Sequence, residues 1–484
     1  MKKSVLEIVD EVNCRFHNLD ITTRRKLVDE VSYFLPYAFH TPAYKLGRWD
    51  GKVHYCDVGG RSYINLLDRL LPIVQNAGYD IELVDNRPSQ TFAFEKVDAQ
   101  SYSHVTWPEG HRFAGQPIVL RDYQVEIINE FLAHPQGIQE ISTGAGKTLV
   151  TAVLSHRTEP YGRSIVIVPS KQLVEQTEAD YKNLGLDVGV LYGDRKEYTK
   201  THTICTWQSL EALNKKSKYY DPDISLADFI DGVACIIVDE VHGAKADVLK
   251  KLMTREFAHI ALRWGMTGTI PLEEHEKISL ILSIGDIINE VSAAELQAKG
   301  VLAKLHVDVL QLKDPVMKFT NYQSELKWIV SCQKRMQWLA DHVIEQSKSG
   351  NTLVLVQHIK AGELLQQMIP NSVFISGKVK TKARKEEYDE VKTADSKIII
   401  ATYGVAAVGI DIPRIFNLYL LEPGKSFVRV IQSIGRSIRM ADDKDFANVF
   451  DVTSTHKYSK RHLTQRKKYY KKAEYPFKII KVDY

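Results

Sequence analysis

The stretch EISTGAGKTLV, residues 140–150, closes the apolar run GIQEI and opens onto Val150, Val153 and Leu154 at helical spacing. It predicts strand, glycine turn and helix N-terminus, the order in which backbone N–H groups and the helix dipole face an anion. The strict pattern G-x-x-x-x-G-K-[ST] departs at its first glycine, where Ile141 stands. Ser142, Thr143, Gly144, Ala145 and Gly146 would wrap phosphates, Lys147 would reach the β- and γ-phosphates, and the Thr148 hydroxyl would hold Mg²⁺. A tight turn with an exposed lysine is the competing reading of the same residues.

Two further stretches bear on that choice. ACIIVDEVH (234–242) is an apolar strand delivering two carboxylates and a histidine at its C-terminal end, where open α/β sheets bind ligands. Asp239 is suited to Mg²⁺, and Glu240 to orienting or deprotonating a water, as phosphoryl transfer requires. QSIGRSIR (432–439) sets Arg436 and Arg439 three apart on one helical face, beside a glycine, Gly435, that permits close approach. Arginines from a separate domain would neutralise the γ-phosphate only on closure, tying hydrolysis to movement. Alone, an acidic pair or an arginine pair is a solvated helix end; together with the glycine turn they point to hydrolysis of a nucleoside triphosphate.

Around these stretches the chain alternates short β-branched runs with amphipathic helices. GIQEIS, SIVIVPS, THTICTW, VACIIVDE and IALRWGMTGT form one series, and NTLVLVQH, SVFISG, KIIIATY, FNLYLLE and ANVFDVT a second beginning near Val301. Unalternated runs of this kind are buried on both faces, which predicts two parallel sheets covered by helices. Residues 1–112 differ. TTRRKLVDEVSYFL predicts a helix carrying Leu27, Val31 and Phe34 or Leu35 behind a Thr cap, and INLLDRLLPIVQNAG with YDIELVD predicts helix, turn and strand. A linker is expected from about Ser101 to Gln116. The domains read as 1–112, a small α+β unit expected to bind nucleic acid through the basic surface of Lys45, Arg48 and Lys52; 113–298 and 299–455, two α/β units; and 456–484, a basic tail.

The 484 residues exceed one ordinary core. No apolar run approaches the roughly 18 residues of a membrane span, so no anchor is expected. Cys14, Cys56, Cys205, Cys235 and Cys332 are widely spaced with no metal-binding pair, which predicts free thiols in a reducing, cytosol-like compartment. The net charge is +4, yet residues 456–484 hold ten Lys/Arg against two Asp/Glu. With Tyr469, Tyr470, Tyr475 and Phe477 interleaved, that tail is suited to lie along phosphates and stack on bases, or equally to form a solvated terminal helix.

Taken in order, these elements resemble the superfamily 2 helicases, two-RecA-domain motors on nucleic acid, from about Val119 to Val452. LRDYQ is similar to the family's adenine-reading element, with Arg121 and Gln124, and STGAGKT to its variant phosphate loop, which commonly lacks the first glycine. VIVPSKQLVEQ (Pro169, Ser170) and CTWQSL (Thr206, Trp207) resemble elements that touch the nucleic-acid backbone. DEVH resembles the DExH box, and GMTGT (Thr267, Thr269) the element coupling hydrolysis to closure, a role the resemblance also implies for His242 and Gln432. LVQH (Gln357, His358), ATYGVAAVGIDIP (Thr402, Gly409, Asp411) and QSIGRSIR are similar to the second-domain motifs. Of these, Gly409 and Asp411 are assigned to the nucleotide, and Gln357, His358 and Thr402 to nucleic acid. YKLGRWDGKVHYCD with INLLDRLLPIVQNAGY resembles the N-terminal segment of phage UvsW-type helicases and parts of the XPB and restriction-motor branches.

The resemblance implies two tandem RecA-like parallel-sheet domains behind a small α+β domain, with ATP and Mg²⁺ as cofactors. It implies a DNA helicase acting on branched DNA, by fork regression, Holliday-junction branch migration and R-loop unwinding, in recombination, replication and repair. Its partners would be branched or single-stranded DNA or an RNA–DNA hybrid, together with recombination or single-strand-binding proteins. The protein would act as a monomer in the cytoplasm, that of the host if phage-encoded. The alternatives are an RNA helicase or hybrid remodeller of the same superfamily, and a non-unwinding DNA-binding translocase or scaffold.

Overall fold

The computed structural model describes all residues except 1, 110, 112, 199, 216–223, 243–245, 378–385, 388–389, 392, 410–413, 422, 425, 427–429, 432, 436–439 and 442. The chain forms two compact units: Met1–Glu140 with Gly146–Glu290, and Ile141–Ala145 with Val291–Tyr484.

The first unit is built on an eight-stranded sheet. Its order is Arg195–Lys196, Val188–Tyr192, His202–Thr206, Arg163–Val168, Val233–Asp239, Leu262–Thr267, Gln136–Ile141 and Ile287–Val291. The six strands from Val188–Tyr192 to Gln136–Ile141 are parallel, and Arg195–Lys196 joins antiparallel. All five runs expected as strands here are strands; beyond them the sheet adds the interior strand Val188–Tyr192, buried throughout, and the edge strands Arg195–Lys196 and Ile287–Val291. Helices cover both faces, so the central strands are buried throughout, with Ile165, Val166, Ile236 and Ile237 inaccessible to solvent. Parallel order brings every strand's C-terminal end to one edge, which is where the motif residues lie.

Residues 1–112 are not a free-standing module. A four-stranded sheet, Arg61–Tyr63, Asn13–His17, Lys2–Ile8 and Tyr79–Asp85, carries the helices Ile21–Glu30 and Leu67–Asn76. Its core of Leu6, Phe16, Leu27, Val31, Leu70 and Val74 continues into Ile278 and Leu282 of the helix Glu274–Ser283. Asn65 Nδ2 donates to the Ile281 carbonyl at 2.9 Å, and Tyr55 Oη to that of His275 at 3.2 Å. So small a layer cannot bury its apolar face alone and shares the neighbouring core. The first helix also differs in detail from expectation. Its cap is Asp20, whose carboxylate accepts from Thr23 N at 2.8 Å, and it ends before Phe34, which lies in the strand Ser32–Phe34. The expected linker lies on the unit, with Tyr102 buried and its hydroxyl 2.8 Å from His156 Nδ1.

The second unit holds a parallel seven-stranded sheet. Its order is Val373–Ile375, Ile398–Thr402, Thr352–Val356, Asn417–Leu421, Phe446–Ser454, Lys304–Leu312 and Phe477–Val482. Residues 456–484 are no tail. They form the helix Lys457–Lys472 and the edge strand Phe477–Val482. Arg466 donates two hydrogen bonds to Asp451, at 2.8 and 2.9 Å, and a third to the Gly424 carbonyl, and Tyr470 Oη donates to the same Asp451. Both charged side chains of the pair are fully buried. Tyr469, Tyr470 and Tyr475 are buried as well, so they are unavailable to stack on bases. Arg466→Met leaves Asp451 charged and unpaired in the core, and equilibrium unfolding is expected to show a loss of about 3–5 kcal/mol. Pairing it with Asp451→Leu should recover much of that loss.

Among the described residues no helix is long and apolar enough to cross a membrane. The five cysteines are unbridged, and all but Cys332 are buried.

Candidate functional site

The strand Gln136–Ile141 leads through a turn into the helix Lys147–Thr158. Gly144 and Gly146 hold φ of 92° and 82°, values that glycine adopts without strain. Gly146 is also crowded: a Cβ there would stand 2.6 Å from Gln124 Nε2. Gln124 is itself fixed, since it is buried and its Oε1 accepts from Arg121 N at 3.0 Å, closing the start of the helix Asp122–Ala133. The expected nucleotide element thus meets the last glycine of the loop. Within the second unit, Ser142 N donates to the Val291 carbonyl at 3.1 Å, and a Cβ on Gly435 would lie 3.1 Å from that of Thr143.

The acidic pair lies across from the helix start. Lys147 Nζ is 3.4 Å from Glu240 Oε1, with both side chains largely buried. Glu240 has φ of 51°, an uncommon conformation for a residue with a side chain, and it directs the carboxylate away from the course of the strand Val233–Asp239. Gly268 N donates to Glu240 Oε2 at 3.4 Å, and His242 Nδ1 lies 3.5 Å from the same oxygen. His242 Nδ1 also meets Thr267 Oγ1, and Thr267 Oγ1 bonds to Thr269 at both its N and its carbonyl. A continuous polar chain therefore runs from Lys147 to the Thr267–Thr269 element. The Thr269 hydroxyl is buried with no hydrogen-bond partner among the described residues.

Charge is concentrated here. Burial, then the neighbouring Glu240, pushes the Asp239 carboxyl up to about 6, with Lys147 opposing. Burial pulls His242 down, which keeps its imidazole neutral near pH 7. Among the described residues this buried carboxylate pair faces Lys147. Asp239 and the Thr148 hydroxyl are hard oxygen donors of the kind Mg²⁺ takes, so the residues present fit that ion.

One residue was missed in the sequence. Glu140 Oε1 accepts from Ile270 N at 3.1 Å, tying the strand that enters the glycine loop to the segment after Thr269. A carboxylate at the end of a buried strand was the available signal.

The residues expected at nucleic acid gather at sheet edges. Val168 and Thr206 are register partners, so Pro169–Ser170 and Thr206–Trp207 leave adjacent strand ends. Both hydroxyls cap helices: Ser170 accepts from Leu173 N and Thr206 from Ser209 N, each at 3.3 Å. In the second unit Val356 pairs with Thr402, bringing Gln357, His358 and Thr402 together at the ends of neighbouring strands. Gln357 Oε1 is buried without a hydrogen-bond partner among the described residues. Gly409 ends the helix Tyr403–Gly409. Asp411, Gln432, Arg436 and Arg439 lie outside the described residues.

Residues 117–272 match the family described as type III restriction enzyme, res subunit, and residues 334–441 match the helicase conserved C-terminal domain. The chain is 23% identical over 450 residues to the ATP-dependent DNA helicase uvsW of Enterobacteria phage T4, covering 88% of this chain and 86% of that protein. It is 23% identical over 375 residues to the DNA 3'-5' helicase XPB of Kineococcus radiotolerans, covering 75% and 65%. The fold is shared with S. cerevisiae Dbp5 bound to RNA and ADP BeF3, at a TM-score of 0.53, 15% identity, and coverage of 76% of this chain and 90% of that one.

Proposed function

Because this chain is a superfamily 2 helicase resembling the UvsW type, we propose that it couples ATP hydrolysis to movement on branched DNA, regressing forks, migrating Holliday junctions and unwinding R-loops. The observation that carries the reading is the polar chain from Lys147 through Glu240 and His242 to Thr267. When the nucleotide arrives, Lys147 exchanges its carboxylate partner for the β- and γ-phosphates. Glu240 is then free to take a proton from the attacking water, held in aim by Gly268 N. Any displacement of Glu240 is passed through His242 to the Thr267–Thr269 element. Lys147, Thr148, Asp239 and the loop 142–146 would hold ATP with Mg²⁺, the ion neutralising phosphate charge that this lysine alone cannot. Arg121, Gln124, Gly409 and Asp411 contribute to the nucleotide in the same reading, and Arg436 and Arg439 neutralise the γ-phosphate. Pro169, Ser170, Thr206, Trp207, Gln357, His358 and Thr402 face the strand, while His242, Thr267, Thr269 and Gln432 couple the two events.

The test is the ATPase rate at fixed salt with single-stranded DNA, duplex, four-way junction, RNA–DNA hybrid and RNA. Strongest stimulation by the four-way junction is expected. Stimulation by RNA alone would replace the reading with an RNA helicase, and absence of any stimulation would leave a binding scaffold.

A further inference from the structure

The helix Lys457–Lys472 carries a charge pattern its fold does not require. Its buried side is Ser459, Leu463, Arg466, Tyr469 and Tyr470. Its exposed side carries Lys457, Lys460, Arg461, Lys468, Lys471 and Lys472, all within one stripe at helical spacing, and the helix contains no acidic residue. Lysines that close three other helices are matched within a turn: Lys215 with Glu211, Lys299 with Glu295, Lys348 with Glu345. Here Lys460, Arg461, Lys468 and Lys471 have no carboxylate partner among the described residues.

The arrangement works against the helix. Like charges at i,i+4 repel, and Lys457, Lys460 and Arg461 crowd the positive end of the dipole. The fold offsets this from below. Buried Glu325, from the helix Tyr322–Ile329, accepts from Tyr458 N at 2.9 Å and from Ser459 N and Oγ at 2.7 Å each. The buried Arg466–Asp451 pair and Tyr470 pin the middle and end. A repulsive stripe is thus displayed on a rigid bar of sixteen residues, about 24 Å long at the usual rise.

We propose that this stripe is a rail for the phosphate backbone of double-stranded nucleic acid, an inference that rests on the motor reading above. Single strands are gripped through stacked bases, and the aromatic rings of this helix face inward or carry their own contacts: Tyr469 and Tyr470 are buried, and Tyr458 Oη donates to the Thr320 carbonyl. A straight row of cations without stacking rings matches the denser phosphate charge of a duplex, and reads no sequence. The rail spans roughly two-thirds of a duplex turn, enough to hold the unopened arm.

The test is binding of an unbranched blunt duplex by the full chain, followed by fluorescence anisotropy across salt concentrations. The variant carries Lys460→Gln, Arg461→Gln, Lys468→Gln and Lys471→Gln together; a control carries Lys200→Gln, Lys215→Gln, Lys299→Gln and Lys348→Gln. The rail variant should bind at least about tenfold more weakly at low salt, with its log–log salt slope flatter by roughly 3–4, near 0.9 for each phosphate no longer neutralised. The control should keep the wild-type slope, and ATPase activity without DNA should be unchanged in both. An unchanged slope, an equal loss in the control, an equal loss on oligothymidylate of the same length, or loss only of an acidic peptide would each overturn the rail. A circular-dichroism melt no lower than wild type excludes unfolding, since the substitutions relieve repulsion. Absence of nucleic-acid stimulation in the wild type would remove the motor reading itself, whereas a stimulated wild type beside an unaffected variant removes only the rail.

Discussion

Alanine at Lys147 is expected to yield a folded protein that binds DNA and turns ATP over at least about 10²–10³-fold more slowly, the usual consequence of deleting one charge-stabilising donor from a phosphoryl or acyl transfer site. The physical ground is that Lys147 pairs with Glu240 across 3.4 Å, while His242, beside the same carboxylate, is neutral. Without that lysine, incoming phosphates meet two buried carboxylates and lose the charge that offsets them. Steady-state phosphate release measures the loss, and anisotropy on DNA separates it from misfolding. Wild-type turnover in this variant would dismiss the nucleotide site.

Glu240→Gln should separate binding from cleavage. The amide keeps the size of the side chain and still offers Gly268 N an oxygen, but it cannot take a proton from water. Turnover is expected to fall by about 10²–10⁴-fold, the range for loss of a general base, while a fluorescent ATP analogue binds as tightly as before or tighter. Tighter binding follows because the substitution removes a negative charge that faces the phosphates and that helps push Asp239 up. Full activity would move the base elsewhere; loss of nucleotide binding would make Glu240 a structural ligand of Lys147.

Much of this was legible because both-sided burial writes itself into a sequence. Ile165–Val168 and Cys235–Val238 are apolar without alternation, and such runs have no other home than the middle of a parallel sheet. The phosphate loop, the acidic pair and the Thr267–Thr269 element are local motifs, and the structure joins them through Lys147, Glu240 and His242. What stayed hidden depends on partners far along the chain. Nothing near Lys457 announces that Glu325 caps its helix, and Arg466 looks like one more basic residue until Asp451 is placed against it. The N-terminal sheet has its own turns and helices, yet its core is completed by Ile278 and Leu282. Glu140 escaped notice because its value lies in reaching Ile270, 130 positions away.

The strand Lys304–Leu312 sits between Phe446–Ser454 and Phe477–Val482, so both its neighbours come late. On a ribosome, residue 307 emerges long before residue 449 or 477, and until then Val307 and Val309 present an apolar ribbon with two unpaired edges. Nascent chains in that condition are what holding chaperones recognise, and their aggregation grows with the delay. Slow synthesis of the stretch between these strands should therefore cost yield of soluble protein more than equal slowing just after Arg163–Val168, which is followed more closely by the strands that pair with it, His202–Thr206 and Val233–Asp239.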